Sequence, residues 1–178
     1  RLSKLGLALK PWTKGEHIIV TTQNSNSAAW PNTKPEDWCR KILQWLREHT
    51  DRKIYLRPHP RHMVNLNRIT KEFVNVEVSN PKSTGNKDEV DFKALLQNAH
   101  AVVNYNSNPA IESVMAGVPV FVDKTSLCYE VGNKINAKKV ENPDTPDRQH
   151  WLQKISYCEW FVDEIEQGMP WKRLKENL

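Results

Sequence analysis

Short apolar runs alternate with segments of helical spacing along most of the chain. Runs with the length of buried strands occur at 17–22, 53–56, 74–78, 101–103 and 118–122. Segments whose apolar residues recur at helical spacing lie between these runs, at about 34–49, 65–72, 88–98 and 109–116. This alternation predicts an α/β fold in which helices flank a mainly parallel sheet.

The first long helix has the clearest pattern. Thr33 and Glu36 stand at the spacing of a capping box. Apolar side chains then share one face of the helix, which we expect to pack on the sheet: Trp38, Ile42, Trp45 and Leu46.

The two ends of the chain are interpreted as additions to the sheet. Residues 1–16 are an entry segment, and 124–147 are expected to be irregular. Thr145 and Pro146 are expected to start a helix that ends at Gly168 and buries Trp151, Ile155, Cys158, Val162 and Ile165. A short helix follows from Pro170, so 145–178 are C-terminal helices of a single domain spanning 1–178. The chain begins with Arg1, which leaves open whether it is a piece of a two-domain protein.

Composition and sequence motifs exclude several classes of protein and leave the kind of binding partner open. The chain has 178 residues and a net charge of +5, with its basic residues spread out, so an anionic partner is expected but not specified. No apolar run is long enough to span a bilayer, and no signal peptide is recognisable, so we expect a cytoplasmic location, with peripheral association at the inner membrane left open. Three widely spaced cysteines predict neither a zinc site nor a disulfide framework. Sequence fingerprints of P-loop ATPases, classical dehydrogenases, zincins and α/β-hydrolases are absent.

The segment 101–123 combines a strand, a polar turn, a helix and a second strand. Asn108 suits an N-cap, Pro109 suits the first helical position, and Gly117 suits the helix end. The turn 104–108 therefore follows a strand and precedes a helix, where backbone N–H groups around Asn108 and Ala110 attract anions. A plain connecting turn of a βαβ unit is the alternative.

The run NSNPAIESVMAGVPVFV resembles the donor-binding segment of glycosyltransferases with the two-domain GT-B fold. In that family a Ser-bearing turn meets the phosphate of a nucleotide sugar, a Glu follows on the helix, and Gly-x-Pro opens the next strand. The matching residues here are Ser107, Glu112, and Gly117 with Pro119. The resemblance implies a Rossmann-like domain of the GT-B C-terminal type, with Glu112 on the ribose hydroxyls. A favourable charge in the first helical turn is the other interpretation of Glu112.

A second motif follows the second strand. In Arg57-Pro58-His59-Pro60 the two prolines restrict the backbone and hold Arg57 and His59 at a strand end, where both can donate to a phosphate. A rigid turn with exposed side chains is the alternative. A His-Pro pair followed later by a Ser turn is similar to the pattern of bacterial polysialyltransferases, capsule Kdo transferases and teichoic acid glycerophosphate polymerases. That resemblance implies that His59 and Ser107 line the nucleotide and phosphate site. Asn106-Ser107-Asn108 replaces the paired hydroxyl residues of those families, which leaves the donor open.

The resemblance of these two motifs to GT-B enzymes implies a glycosyltransferase domain, for which we expect no metal or cofactor. Arg57 and His59 are the predicted catalytic residues, and they stabilise charge on the leaving phosphate. The predicted donor and phosphate ligands are Gln23, Asn106, Ser107, Asn108 and Glu112. For Gln23, which begins the polar loop 23–27, a flexible connector is the alternative.

Expected partners are a nucleotide sugar and a hydroxyl acceptor on a polysaccharide, a lipid-linked glycan or phage nucleic acid. The GT-B resemblance implies an N-terminal acceptor domain or a partner subunit. A sugar-nucleotide epimerase of the same fold, and a non-catalytic basic module that binds a partner or nucleic acid, are the alternatives.

Overall fold

The computed structural model describes residues 1–24, 27, 34–60, 65–82 and 88–176, with the side chains of the last range described from 91 onward. Thr33 of the predicted capping box, and parts of the predicted loops 23–27 and 80–87, lie outside the described residues.

Within the described residues, six parallel strands form one sheet in the order β3-β2-β1-β4-β5-β6. The strands are β1 His17–Thr21, β2 Ile54–Arg57, β3 Val76–Val78, β4 Ala99–Asn104, β5 Val120–Val122 and β6 Asn133–Lys134. The predicted α/β fold with its flanking and C-terminal helices is confirmed, and the sheet is entirely parallel in the described part. β6 lies in the segment predicted to be irregular. The sequence does not predict this strand because two residues are too few to show a periodic pattern.

The described helices range from four to thirteen residues in length. They are α1 Leu2–Leu5, α2 Pro35–Arg47, α3 Asn67–Thr70, α4 Asp88–Leu96, α5 Pro109–Met115, α6 Gln149–Ile155, α7 Val162–Glu166 and α8 Met169–Lys175. α1 lies in the predicted entry segment, where four residues were too few to indicate a helix. No helix in the described ranges combines the length and the apolar character needed to cross a membrane.

One face of the sheet is covered as the sequence predicts. The stripe of α2 is buried in one core cluster with Ile18 and Val20 of β1 and Leu56 of β2. Each large apolar side chain fully buried in this way contributes roughly 1.5–3 kcal/mol to folding. The tryptophans of α2 are therefore core residues.

α5 packs against β4 and β5. Helical spacing in 109–116 predicts a buried stripe of Ile111, Val114 and Met115, but only Val114 is buried and the other two are half-buried. Ala110 and Ser113 complete the buried face. The buried Ser113 hydroxyl has a hydrogen-bond partner, because it donates to the Pro109 carbonyl oxygen at 2.6 Å.

The described residues form two compact units, Leu9–Pro146, which contains the sheet, and Arg1–Ala8 with Asp147–Leu178. In the second unit the buried Glu164 carboxylate accepts from Lys4 and Arg1. The Lys4 hydrogen bond, the Phe161 N–H and Arg1 lower the pKa of Glu164 to about 2. The expected single domain stays a prediction.

The predicted long helix from Pro146 to Gly168 is wrong. α6 begins only after Arg148, and the chain leaves helical conformation between α6 and α7. A new helix begins where the Glu164 carboxylate accepts the Phe161 N–H at 3.0 Å, a cap made from the third helical position. Cys158, Val162 and Ile165 are consequently exposed, whereas Trp151 and Ile155 are buried as predicted.

Candidate functional site

A cavity of about 470 Å³ opens at the carboxyl ends of β1, β2 and β4. Its lining consists of Thr21 and Thr22, residues 57–60, Phe92, residues 107–109, and Glu112. β1 lies between β2 and β4 in the sheet. The turns that follow β2 and β4 therefore reach the same opening. The structure thus brings together the Arg-Pro-His-Pro corner and the Ser107 turn, which lie far apart in the sequence.

The corner is fixed to the end of β1. Arg57 is the last residue of β2, and the prolines on either side of His59 restrict the backbone that follows. The His59 N–H donates to the Thr22 hydroxyl at 3.2 Å. His59 is half-buried and lines the cavity.

The position of Arg57 after a strand predicts an exposed phosphate ligand, but its side chain is buried and paired. Its side chain is 7% exposed, and its guanidinium donates to Asp91 Oδ1 at 2.8 Å. The same guanidinium lies over the Phe92 ring, 5.5 Å from the ring centre. Burial acts to raise the pKa of Asp91, but the Lys82 N–H and the Arg57 guanidinium outweigh it and lower that pKa. Part of the Arg57 charge is therefore already balanced at the cavity wall.

Asn104 organises the turn after β4, and the sequence prediction missed it. Its fully buried side chain accepts the Ser107 N–H at Oδ1 and donates from Nδ2 to the hydroxyls of Ser107 and Thr21. These distances are 2.8, 2.8 and 2.6 Å in that order. A buried polar residue at the end of an otherwise apolar strand was the available signal, because such a residue must find partners.

The helix start after this turn corrects two expectations. Asn108 stands at the N-cap position of α5, but its side chain makes no capping hydrogen bond and is exposed. The Ala110 N–H, expected to face a phosphate, donates to the Ser107 carbonyl oxygen at 3.1 Å. The N–H groups of Ala110 and Ile111, which an Asn108 cap would satisfy, already donate to the carbonyl oxygens of Ser107 and Asn108.

Two predicted ligands, Gln23 and Asn106, do not line the cavity. Gln23 is 3% exposed, and its side-chain oxygen accepts the Asn106 N–H at 2.9 Å. The Asn106 amide donates to the Thr125 hydroxyl at 3.0 Å, and that hydroxyl donates to Asp123 after β5. Both residues thus link neighbouring strand ends, which is a structural role beside the cavity.

Glu112 lies in the first turns of α5 and lines the cavity with a half-buried side chain. The opening therefore holds a carboxylate, an imidazole, a balanced guanidinium and several hydroxyls. Such a set can hold a polar ligand with both an anionic part and hydroxyl groups. In the described part of the chain, no three metal-ligating side chains come together.

The fold resembles that of a glycosyltransferase of known structure. The chain superposes on Thermosulfurimonas dismutans KpsC, a beta Kdo 2,4 transferase, with a TM-score of 0.52 and 19% sequence identity. The similarity covers 82% of this chain and 46% of KpsC, so this chain spans less than half of that protein. No protein-family model and no curated protein sequence matches the chain. At this identity the similarity concerns the fold alone.

Proposed function

We propose that this chain is the donor-binding domain of a glycosyltransferase, which binds a nucleotide sugar in the cavity for transfer to a hydroxyl acceptor on a polysaccharide, a lipid-linked glycan or phage nucleic acid. The observation that carries the proposal is that the His59 corner and the Ser107 turn line one cavity at the carboxyl edge of a parallel sheet. Ligands of open α/β folds bind at this edge. The cavity volume is also in the range of small-molecule sites.

In this proposal His59 and Ser107 donate to the phosphate that leaves the sugar, and Arg57 adds the positive charge that its pairing with Asp91 leaves. Donors held in place before the reaction stabilise charge that grows on the leaving group. Glu112 accepts from two ribose hydroxyls, a role that suits a carboxylate because it offers two acceptor oxygens. Asn108 at the rim contacts the donor, and Gln23 and Asn106 support the turn from outside.

The acceptor side is proposed to come from elsewhere. The similarity to KpsC, a beta Kdo 2,4 transferase, covers 46% of that chain. We therefore expect this chain to bind a donor by itself and to need a second domain or a partner subunit for transfer.

Calorimetric titration with UDP, CMP, GDP and their sugars tests the proposal. One of these series should bind, and His59→Ala or Glu112→Ala should weaken that binding about tenfold or more, the loss expected for one hydrogen bond to a charged group. His150→Ala and Glu77→Ala are matched controls, because both side chains are exposed and lie outside the cavity lining. These controls should bind as the wild type does.

Other outcomes would contradict donor binding. Binding to DNA that falls steeply with salt, without any nucleotide affinity, would favour a non-catalytic basic module. Conversion of a bound sugar nucleotide to its epimer, detected by proton NMR, would favour the epimerase. Equal affinities of wild type and both cavity variants would place the nucleotide elsewhere.

A further inference from the structure

The orientation of the buried Asn104 amide is fixed by a group that can only donate. The Ser107 N–H points to Oδ1 at 2.8 Å, so the other end of the amide must be Nδ2. Nδ2 carries two hydrogens, and these are directed to the hydroxyl oxygens of Thr21 and Ser107. Both hydroxyls therefore act as acceptors toward Asn104.

The Thr22 hydroxyl is in the same situation, because it accepts the His59 N–H. All three hydroxyl-bearing residues line the cavity. Among the described residues, none of these hydroxyls donates to a protein acceptor. A hydroxyl that accepts from a fixed donor keeps its own proton for another partner.

We infer that Asn104 is a positioning residue that holds the hydroxyls of Thr21 and Ser107 as hydrogen-bond donors for an acceptor-only anion, a phosphate or diphosphate. This inference rests on the proposed function and names the part of the donor that these side chains recognise. Neither hydroxyl can turn its proton toward Asn104, since Nδ2 offers no acceptor. Each hydroxyl therefore keeps its own proton for an acceptor in the cavity, which suits the bare oxygens of a phosphate.

Asn104 contributes without touching the ligand, since it is fully buried and absent from the cavity lining. Asp in its place would keep the shape of the side chain and accept the Ser107 N–H as before. Its second oxygen, when ionised, would accept from the Thr21 and Ser107 hydroxyls and turn their protons away from the cavity. A change of hydrogen-bond direction at constant shape is thus available as a test.

The experiment measures the Kd for inorganic pyrophosphate by calorimetry, from pH 5 to pH 8, for the wild type and four variants. Asn104→Asp should weaken binding by about 100-fold or more at the upper pH, because two hydrogen bonds to a charged ligand are lost. The ratio of variant to wild-type Kd should rise with pH as the new carboxyl ionises. Thr21→Val should weaken binding about tenfold, and Thr21→Ser, which keeps the hydroxyl, should bind almost as the wild type does.

Asn133→Asp is the matched control. Asn133 is also a buried asparagine whose amide links backbone groups, those of Val120 and Asp144, but it lies outside the cavity lining. This variant should lose stability and keep wild-type affinity for pyrophosphate. Circular dichroism establishes which variants are folded, and the Thr21 pair carries the test if Asn104→Asp is not.

The outcomes separate this inference from the proposed function. Nucleotide binding with equal affinity in the wild type, Thr21→Val and Asn104→Asp would overturn the inference and leave the donor site in place. Pyrophosphate binding with the expected losses, but without affinity for any nucleotide sugar, would support the inference and contradict the glycosyltransferase proposal. A wild-type chain that binds neither pyrophosphate nor nucleotide would overturn both. A pH-independent loss equal in Thr21→Ser and Thr21→Val would reduce the role of these residues to packing.

Discussion

Arg57 and Asp91 form the ion pair that sets the charge at one wall of the cavity. Replacing Asp91 with Asn removes the negative partner of a guanidinium that is 7% exposed. We expect Asp91→Asn to lower the free energy of unfolding by about 2–3 kcal/mol, since a buried charge that loses its partner is costly. Urea unfolding at neutral pH measures this loss.

The pH dependence of the unfolding free energy in acid tests the same Arg57–Asp91 ion pair. Because the pKa of Asp91 is lowered from its ordinary 3.8 in the folded protein, its contribution is present above that value and is lost as pH falls through the lowered pKa. Asp91→Asn should therefore reduce the acid dependence of stability below about pH 4. Parallel curves for wild type and variant would show that the pair does not stabilise the fold.

His100 gives a second pH dependence, near neutrality. Its ring is 6% exposed, and Nε2 donates to the Val140 carbonyl oxygen at 2.8 Å. Burial is the main cause that lowers the pKa of His100 below its ordinary 6.5. The unfolded chain then takes up a proton that the folded chain resists, so stability is full above pH 6.5 and falls as pH drops below it.

His100→Gln tests this assignment, since glutamine keeps a donor but does not titrate between pH 5 and pH 8. The difference in unfolding free energy between wild type and variant should shrink as pH falls from 7 to 5. A difference that is constant over this range would mean that the His100 ring ionises equally in both states.

The role of a residue could be predicted from the sequence only where its neighbours in the sequence form a recognisable pattern. The two prolines beside His59 and the polar turn at Ser107 stand at strand ends, and the structure places both at the cavity. Asn104 and Asp91 act through partners distant in sequence, Thr21 and Arg57, which no local pattern reveals. Gln23 was selected from its loop position, but its side chain is used within the fold.

At the scale of elements, strands and long helices were predictable and their ends were not. β1 and β4 differ from the predicted spans by at most two residues at either end. The C-terminal helix was overextended because Val162 and Ile165 continue the apolar spacing of α6, yet they are 71% and 56% exposed. The Phe161 cap, made by Glu164, resembles half of a capping box and was the signal that a new helix begins.

Gly117 shows why the helix of the βαβ unit ends where it does. Its φ is +83°, and a Cβ there would lie 2.0 Å from the Pro11 carbonyl oxygen. Gly117→Ala should therefore lower the unfolding free energy by about 2–4 kcal/mol, through left-handed strain and through the displaced backbone. Thermal unfolding followed by circular dichroism measures the effect.

Gly168→Ala is the matched comparison, because Gly168 has φ +68° but no heavy atom within 4 Å of the added Cβ. It should cost about 1 kcal/mol, the strain alone. Equal losses at the two glycines would show that the close approach of Pro11 has no energetic consequence.

At the scale of the whole molecule, the order of the strands brings the parts of the candidate site together. β1 between β2 and β4 makes the ends of three strands neighbours, so residues from the first, middle and later parts of the chain meet at one opening. The sequence predicted the class of fold and the carboxyl edge as the binding edge. The strand order itself depends on crossover packing over long separations, which single-sequence periodicity does not encode.

The central claim is that two strand ends bind one phosphate, and a double-mutant cycle for nucleotide binding tests it most directly. Its arms are His59→Ala, Ser107→Ala and the double variant, each titrated with the tightest-binding nucleotide sugar of the wild type. We expect a loss of about tenfold or more in each single variant and a coupled rather than additive loss in the double variant. The melting temperature should stay nearly unchanged in His59→Ala and fall by a few degrees in Ser107→Ala, which removes an acceptor from the buried Asn104 amide but should remain folded during the titration. Wild-type affinity in either single variant, or a loss explained by unfolding, would contradict it.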